Sequence, residues 1–316
     1  SLPDFDPNNM NGDPNCLRNR AVSDQFEPGS MLKPIAAAIA LDTGIVNTYE
    51  RIFCEDGSYS GKGFGRIGEY DNHKYGNLTV REILVKSSNI GMAKIGQRLK
   101  RQKLYNGLKL FGFGKKTGID LPGEVPALLR PPGQWTGYSE TRIPFGQEIT
   151  VTAIQMVRAF CVLANGGHAV TPYVVKAVVD NEGNIIKLNR PSPPVGYVIK
   201  PEVAKWLVTD ALVGVVNERD NGGTGWRAKL DKWQVFGKTG TANIAKSDSR
   251  GYSNRDYIAS FIAGAPAENP EIVVLVSVRK PNRSLGKGYT GGAVASPVAG
   301  KIIEKTLTYL QAQQSL

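Results

Sequence analysis

The chain has 316 residues, 41% hydrophobic and 21% charged, the balance of an ordinary globular protein with a large core. No run of about 18 apolar residues occurs, so no stretch reads as a membrane-spanning helix, and the polar opening residues carry no signal-peptide pattern. The net charge of +11 raises nucleic acid, anionic lipid or an acidic polymer as partners. The densest basic stretch, 100–116, is interrupted at helical spacing by Leu104, Leu108 and Phe111. It reads as the solvated face of a helix, and with no zinc spacing or RNA-binding aromatic signature a nucleic-acid partner is set aside.

In chain order, residues 1–29 are rich in Asn, Asp and Pro and read as irregular. Pro28 and Gly29 break structure before Ser30, which is expected to open a helix running to about Gly44, a C-cap glycine. Residues 54–78 are a Gly-, Ser- and Tyr-rich excursion with room for hairpins. Thr79 and Glu82 form a capping-box pattern that starts a short helix, and a second helix begins near Ile90. The stretch 111–150, with Pro122, Pro126, Pro131 and Pro132, reads as loop. Thr152 and Gln155 cap a helix that Gly166 and Gly167 stop. A strand is expected over 174–179, a turn at 181–183, a return strand from Ile185 and a helix over 201–216. The last third changes period: a strand over 233–236 leads into Gly237, and 257–263 and 272–278 are β-branched runs joined by the loop 266–270. A helix over 294–311 closes the chain. The pattern implies an α+β (mixed α/β) fold, a central antiparallel sheet flanked by helices with an all-helical part beside it.

Ser30 and Lys33 stand one turn apart, so the lysine amine can reach the serine oxygen. A lysine kept neutral by burial and by a neighbouring cation can take a hydroxyl proton and activate the serine. The same Ser-x-x-Lys spacing recurs at Ser284 and Lys287, but in a glycine-containing basic stretch with no apolar helix behind it, which reads as solvated loop. Ser87-Ser88-Asn89 falls between two helices, where a serine either caps the second helix or aims its hydroxyl into a cleft. Lys238-Thr239-Gly240, continued by Thr241, follows the 233–236 strand. A strand edge with a lysine and hydroxyls, and a glycine permitting close approach, suits a peptide carboxylate. A second copy of the triplet, Lys116-Thr117-Gly118, has no strand leading into it and reads as structural loop. Only two histidines occur, His73 and His168, both in turn-like surroundings, so a lysine base is expected rather than a histidine. Cys16, Cys54 and Cys161 are odd in number and fit no metal spacing; Cys161 is expected as buried packing.

The three motifs in this order, with Ser87 and Lys238 at 57 and 208 residues beyond Ser30, are the signature of penicillin-binding proteins and serine β-lactamases. With them go Asn19-Arg20-Ala21-Val22, Phe26-Glu27-Pro28-Gly29-Ser30, the segments 145–152 and 289–292, and the opening 1–8. On these residues the chain resembles the transpeptidase domain of class B penicillin-binding proteins, and within it the division-specific (septal) branch. Met31-Leu32 departs from the family's small or β-branched residue followed by Phe or Val. The resemblance covers nearly the whole chain, 1–316, as one transpeptidase domain of the penicillin-binding-protein/serine β-lactamase-like fold.

It implies that Ser30 attacks the penultimate D-Ala carbonyl of a D-Ala-D-Ala stem peptide, with Lys33 as base. Ser87 relays the proton to the leaving D-Ala, helped by Lys238. Asn89 binds substrate backbone and positions Lys33; Lys238, Thr239, Gly240 and Thr241 form the carboxylate site. Backbone N–H groups of Ser30 and Thr241 form the oxyanion hole. An amine of a neighbouring stem peptide then resolves the acyl-enzyme, β-lactams acylate the same serine, and no metal or organic cofactor is required. The implied setting is the outer face of a bacterial cytoplasmic membrane, beside a membrane glycosyltransferase. In the family two sheet strands precede the 1–8 segment, along with a pedestal and membrane anchor, so the sheet here is expected to lack two partners. The rival readings are a D,D-carboxypeptidase or a β-lactamase, whose class A form would need a Glu-containing loop for which Glu140 and Glu148 are the candidates, neither in a Glu-x-x-Leu-Asn pattern, and a non-catalytic β-lactam sensor or scaffold.

Overall fold

The computed structural model describes residues 6, 8, 13–191, 196–245 and 251–314. Most of the opening 1–8 segment lies outside them.

A short helix α1 (Arg20–Ser23), capped by Asn19, precedes a 3-10 turn at Gly29–Leu32 and helix α2 (Lys33–Asp42). Strands β1 (Arg51–Phe53), β2 (Ser58–Gly61), β3 (Gly65–Gly68) and β4 (Asn77–Thr79) form two small antiparallel pairs, β1 with β4 and β2 with β3. They fill the expected excursion. Thr79 and Glu82 close a reciprocal capping box at the start of α3 (Val80–Val85). The long helix α4 (Asn89–Leu110) follows, broken at Lys100, whose φ is 60°. Leu104, Leu108 and Phe111 are buried, while Lys100, Arg101 and Lys103 are exposed, as the basic stretch implied.

A short helix α5 (Ser139–Arg142) interrupts the 111–150 loop, and a second capping box, Thr152 with Gln155, starts α6 (Ala153–Ala164). Cys161 is only half-buried, because it lies off the α6 face that buries Met156, Ala159, Phe160 and Leu163. The expected 174–179 strand shortens to β5 (Ala177–Val179), paired with β6 (Ile185–Leu188). The physical reason is Asp120, whose carboxylate accepts the Val174 and Val175 N–H groups at 2.7 and 2.9 Å and removes them from pairing. The expected helix 201–216 is two helices, α7 (Pro201–Trp206) and α8 (Leu212–Asn217), joined by a π-turn at Leu207–Ala211.

The sheet consists of β7 (Phe236–Ala245), β8 (Tyr252–Ala265) and β9 (Ile272–Arg279), antiparallel in the order β7-β8-β9. Of the expected 233–236 strand only Phe236 is in β7, which instead runs on through Lys238-Thr239-Gly240, and β7 and β8 extend to where Ala245 pairs with Tyr252. A π-turn, Gly291–Ala295, precedes the last helix α9 (Ser296–Gln314). Among the described residues this sheet has three strands, and β9 is bonded to β8 alone.

The period of two splits the sheet's apolar side chains between two cores. Phe261, Ala263, Val274 and Val276 face α9 through Ala299, Ile303 and Leu307. Phe236, Ile262, Val273 and Leu275 face the larger core built from α2, α4, α6 and α8. Helix α2 sits at the centre of that core with Ile35, Ala36, Ala37 and Ala38 fully buried. It therefore carries its first residue, Lys33, into the interior.

Candidate active site

Ser30 lies in the 3-10 turn ahead of α2, and the α-helix proper begins at Lys33. This corrects the expected helix start. The Lys33 N–H bonds to Ser30 O, an i to i−3 closure, and Pro34 has no N–H to extend it into an α-turn. The turn is strapped from behind. Gly29, at φ +54°, donates to Gly146 O at 3.0 Å, and Phe26 exchanges two backbone hydrogen bonds with Val151. Glu27 accepts from Glu148 N at 2.9 Å and from the Tyr252 hydroxyl at 3.0 and 2.8 Å. Burial raises the Glu27 carboxyl, against the lowering effect of those bonds.

Lys33 is fully buried. Its amine donates to Ser87 O, to Ser87 Oγ at 3.2 Å and to Asn89 Oδ1 at 2.8 Å; among the described hydrogen bonds none joins it to Ser30. Burial lowers its pKa from 10.5 to about 7, with Glu69 acting in the opposite sense. Ser88, not Ser87, caps α4 by accepting from Gly91 N at 3.0 Å. That leaves Ser87 free to turn inward, at φ 58°, a left-handed conformation rare for a residue with a Cβ.

Lys238-Thr239-Gly240 lies inside β7 rather than after a strand. Alternation sends Lys238 and Gly240 to one face of β7, Thr239 and Thr241 to the other. Lys238, also fully buried, donates to Ser87 Oγ at 2.8 Å. Burial lowers its pKa well below the usual lysine value, and the Lys33 charge lowers it further. Gly240 faces the serine turn: a Cβ there would stand 2.9 Å from Met31 Cγ and 3.1 Å from Pro28 O. Only a residue without a Cβ lets β7 approach Ser30 this closely. Met31 and Leu32, where the chain departs from the family pattern, are buried packing against this strand and α2. On the other face Thr239 Oγ1 meets Thr224 Oγ1 at 2.7 Å, and Thr241 Oγ1 accepts from Gly291 N at 3.1 Å.

These parts border one cleft of about 420 Å³, lined by Ser30, Ser87, Asn89, Thr239 and Thr241 together with Glu27, Glu69, Tyr70, Phe145, Thr224 and Thr290. Lys33, Lys238 and Gly240 support its wall from beneath. Three elements distant in sequence thus converge on Ser87 Oγ, which takes a hydrogen bond from each of two buried amines. A hydroxyl so placed can accept from a charged amine and donate to a neutral one, so it can carry a proton between them.

Phe145 and Thr290 belong to segments already singled out in the sequence. Glu69 and Thr224 carried no local signal. Ser284 sits in an exposed 3-10 turn, its N–H bonded to Asn282 Oδ1. Thr117 of the second triplet is buried, bonded through its N–H and hydroxyl to Glu124 at 2.6 and 2.5 Å. His73 and His168 lie in loops, bonded to the Tyr70 and Gly196 carbonyls. Among the described residues no group of three or more His, Cys, Asp or Glu could hold a metal ion.

Two buried lysines and two half-buried serines, clustered between a helix start and a sheet edge, define a fold of the penicillin-binding kind. The family model for the penicillin binding protein transpeptidase domain matches residues 1–304, and the chain belongs to that family. It is 37% identical over 314 residues to stage V sporulation protein D of Bacillus subtilis, covering 98% of this chain and 47% of that protein. It is 33% identical over 311 residues to a probable peptidoglycan D,D-transpeptidase PenA of Neisseria meningitidis, covering 98% and 49%. The chain thus spans about half the length of the sequence relatives it matches. Among solved structures it is similar to the apo transpeptidase domain of Burkholderia pseudomallei penicillin-binding protein 3, with a TM-score of 0.80 and 31% identity over 93% of this chain and 82% of that one. Penicillin-binding protein 3 of Mycobacterium tuberculosis complexed with ampicillin superposes with a TM-score of 0.84 at 29% identity, over 93% and 64%.

Proposed function

We propose that this chain is the catalytic domain of a serine D,D-transpeptidase that cross-links peptidoglycan stem peptides in the bacterial cell envelope. The observation that carries the reading is Ser87 Oγ held between the buried amines of Lys33 and Lys238, beside Ser30 at one cleft. Neutral Lys33 takes the Ser30 proton. Ser30 Oγ forms a bond to the penultimate D-Ala carbonyl carbon, and the oxyanion is held by the N–H groups of Ser30 and Thr241. The intermediate collapses with cleavage of the C–N bond, and Ser87, resupplied from the lysines, protonates the departing D-Ala amine. Asn89 orients the donor backbone, and Thr239, Gly240 and Thr241 with Lys238 receive its terminal carboxylate. An acceptor amine then attacks the ester, releases Ser30 and forms the cross-link.

β-Lactams acylate the same serine, the cleaved amide remaining tethered within the opened ring. The outer face of the cytoplasmic membrane, a glycosyltransferase partner and septal wall synthesis complete the reading, on the resemblance to the division branch. A class A β-lactamase would need a carboxylate from the 111–150 loop aimed at a deacylating water. Glu148 accepts from Ser139 Oγ at 2.6 Å, Glu140 pairs with Arg101, and neither lines the cleft. The test is mass spectrometry after β-lactam labelling. Ser30→Ala is expected to abolish the adduct and Ser284→Ala to retain it; an adduct on Ser284, or rapid turnover of a chromogenic cephalosporin, would overturn the assignment.

A further inference from the structure

Behind the Ser87-Ser88-Asn89 loop lies a carboxylate that none of the three motifs contains. Glu69 follows β3 and is 8% exposed. One oxygen accepts from Ser88 Oγ at 2.5 Å and from Ile90 N at 3.3 Å; the other accepts from Asn89 N at 2.6 Å. The carboxylate therefore occupies the N-terminus of α4, where free N–H groups and the helix dipole favour an anion. Gly68, its chain neighbour, accepts from Asn89 Nδ2 at 3.0 Å, which leaves Asn89 Oδ1 turned toward the Lys33 amine at 2.8 Å. The Glu69 segment thus grips Asn89 at both its backbone and its side-chain nitrogen.

We propose that Glu69 is a positioning residue for the Ser30 reaction: its carboxylate fixes the Ser88–Asn89 corner against Lys33 and supplies the negative charge that offsets the burial of that amine. The inference rests on the transpeptidase reading above. The other ionisable groups around Lys33 do not supply that charge. Lys238 is a second cation, and the Cys54 thiol, 3.6 Å from Ser88 Oγ, is pushed up to about 11 by burial and stays neutral. Lys94 on α4 is paired with Glu55, Lys86 at the end of α3 donates to Asn221 O, and Glu27 across the cleft is engaged by Tyr252. His73 and Tyr75 line the cleft without carrying a negative charge. Glu69 also opposes the effect of burial on Lys33, so it holds the pH at which that amine becomes a free base above where burial alone would put it.

Two substitutions separate charge from position. Glu69→Gln removes the charge and replaces one acceptor with a donor facing an N–H. Glu69→Asp keeps the charge but withdraws it by one methylene. The acylation rate with a chromogenic cephalosporin is followed by stopped flow across pH for the full chain, with thermal melting in parallel. In Glu69→Gln the rising limb is expected to move to lower pH and the plateau to fall about 100-fold, the cost of roughly 1 Å of misplacement. In Glu69→Asp the plateau falls and the limb stays in place.

Variants that keep the wild-type limb, with rates reduced only in proportion to the folded fraction, would overturn the proposal. Should Glu69→Gln fail to fold, Glu69→Asp decides: a folded variant with the wild-type rate overturns it, and a reduced plateau at an unchanged limb supports it. A wild-type chain that acylates on a residue other than Ser30 overturns the transpeptidase reading and this inference together. Wild-type labelling on Ser30 with indifferent variants removes this inference alone.

Discussion

Replacing Lys33 with methionine should change stability as a function of pH, and the sign follows from burial. In the native chain burial lowers the Lys33 pKa from 10.5 to about 7. At about 1.4 kcal/mol per unit, that depression corresponds to roughly 5 kcal/mol. Above about pH 7 the native amine is neutral, whereas the unfolded chain keeps its proton until near 10.5. Unfolding in that window takes up a proton, so stability rises with pH there and the cost of burial is full only below about 7.

Wild type should gain on Lys33→Met by about 3 kcal/mol between about pH 7 and about pH 9. Urea unfolding of both proteins, followed by tryptophan fluorescence over a pH series, measures this directly. Parallel stability curves for the two proteins would show that Lys33 keeps its ordinary pKa and would remove it as the base. Its kinetic counterpart is a wild-type acylation rate that levels off above about pH 7; a rate still climbing steeply near pH 10 refutes the same reasoning.

Gly240→Ala places a methyl group 2.9 Å from Met31 Cγ and 3.1 Å from Pro28 O, and should cost about 1–3 kcal/mol by overpacking. It should also slow acylation as β7 is pushed off the serine turn; a melt and a stopped-flow rate both matching wild type would show that the close approach is not required. Glu124→Ala strips the acceptor from Thr117 N, Thr117 Oγ1 and Gly118 N in a buried loop, and should cost on the order of 2–4 kcal/mol. The folded variant should acylate at the wild-type rate, because Lys116-Thr117-Gly118 lies outside the cleft; a rate that falls with the folded fraction intact would contradict the structural assignment.

Elements whose chemistry is local were legible in the chain. Thr79 with Glu82 and Thr152 with Gln155 each satisfy two orphan helix donors within four residues, and both boxes form. The β-branched run at Ile272 likewise forms its strand. Where a distant partner intervened, local reading failed. Val174 and Val175 have strand composition, but their N–H groups belong to Asp120 across the fold. Lys238-Thr239-Gly240 reads as the end of a strand because glycine has low strand propensity, yet pairing of Gly240 with Ser260 carries β7 through it.

The site follows the same division. Residue types and order pointed to Ser30, Lys33, Ser87 and Lys238 as one group, and the expected contact between Lys33 and Ser30 gives way to contacts with Ser87 and Asn89. What no local pattern held is the depth at which the amines sit. Lys33 is buried because it begins a helix packed on every side, and Lys238 because alternation in β7 turns it to the face opposite the cleft-lining Thr239 and Thr241. Burial of two cations at one hydroxyl is unfavourable unless an anion stands nearby. In the sequence Glu69 is an acidic residue in a turn-rich stretch, 18 positions before Ser87. It becomes the counter-charge only because the β2–β3 hairpin folds back onto the start of α4 and delivers its carboxylate to the Ser88 and Asn89 donors.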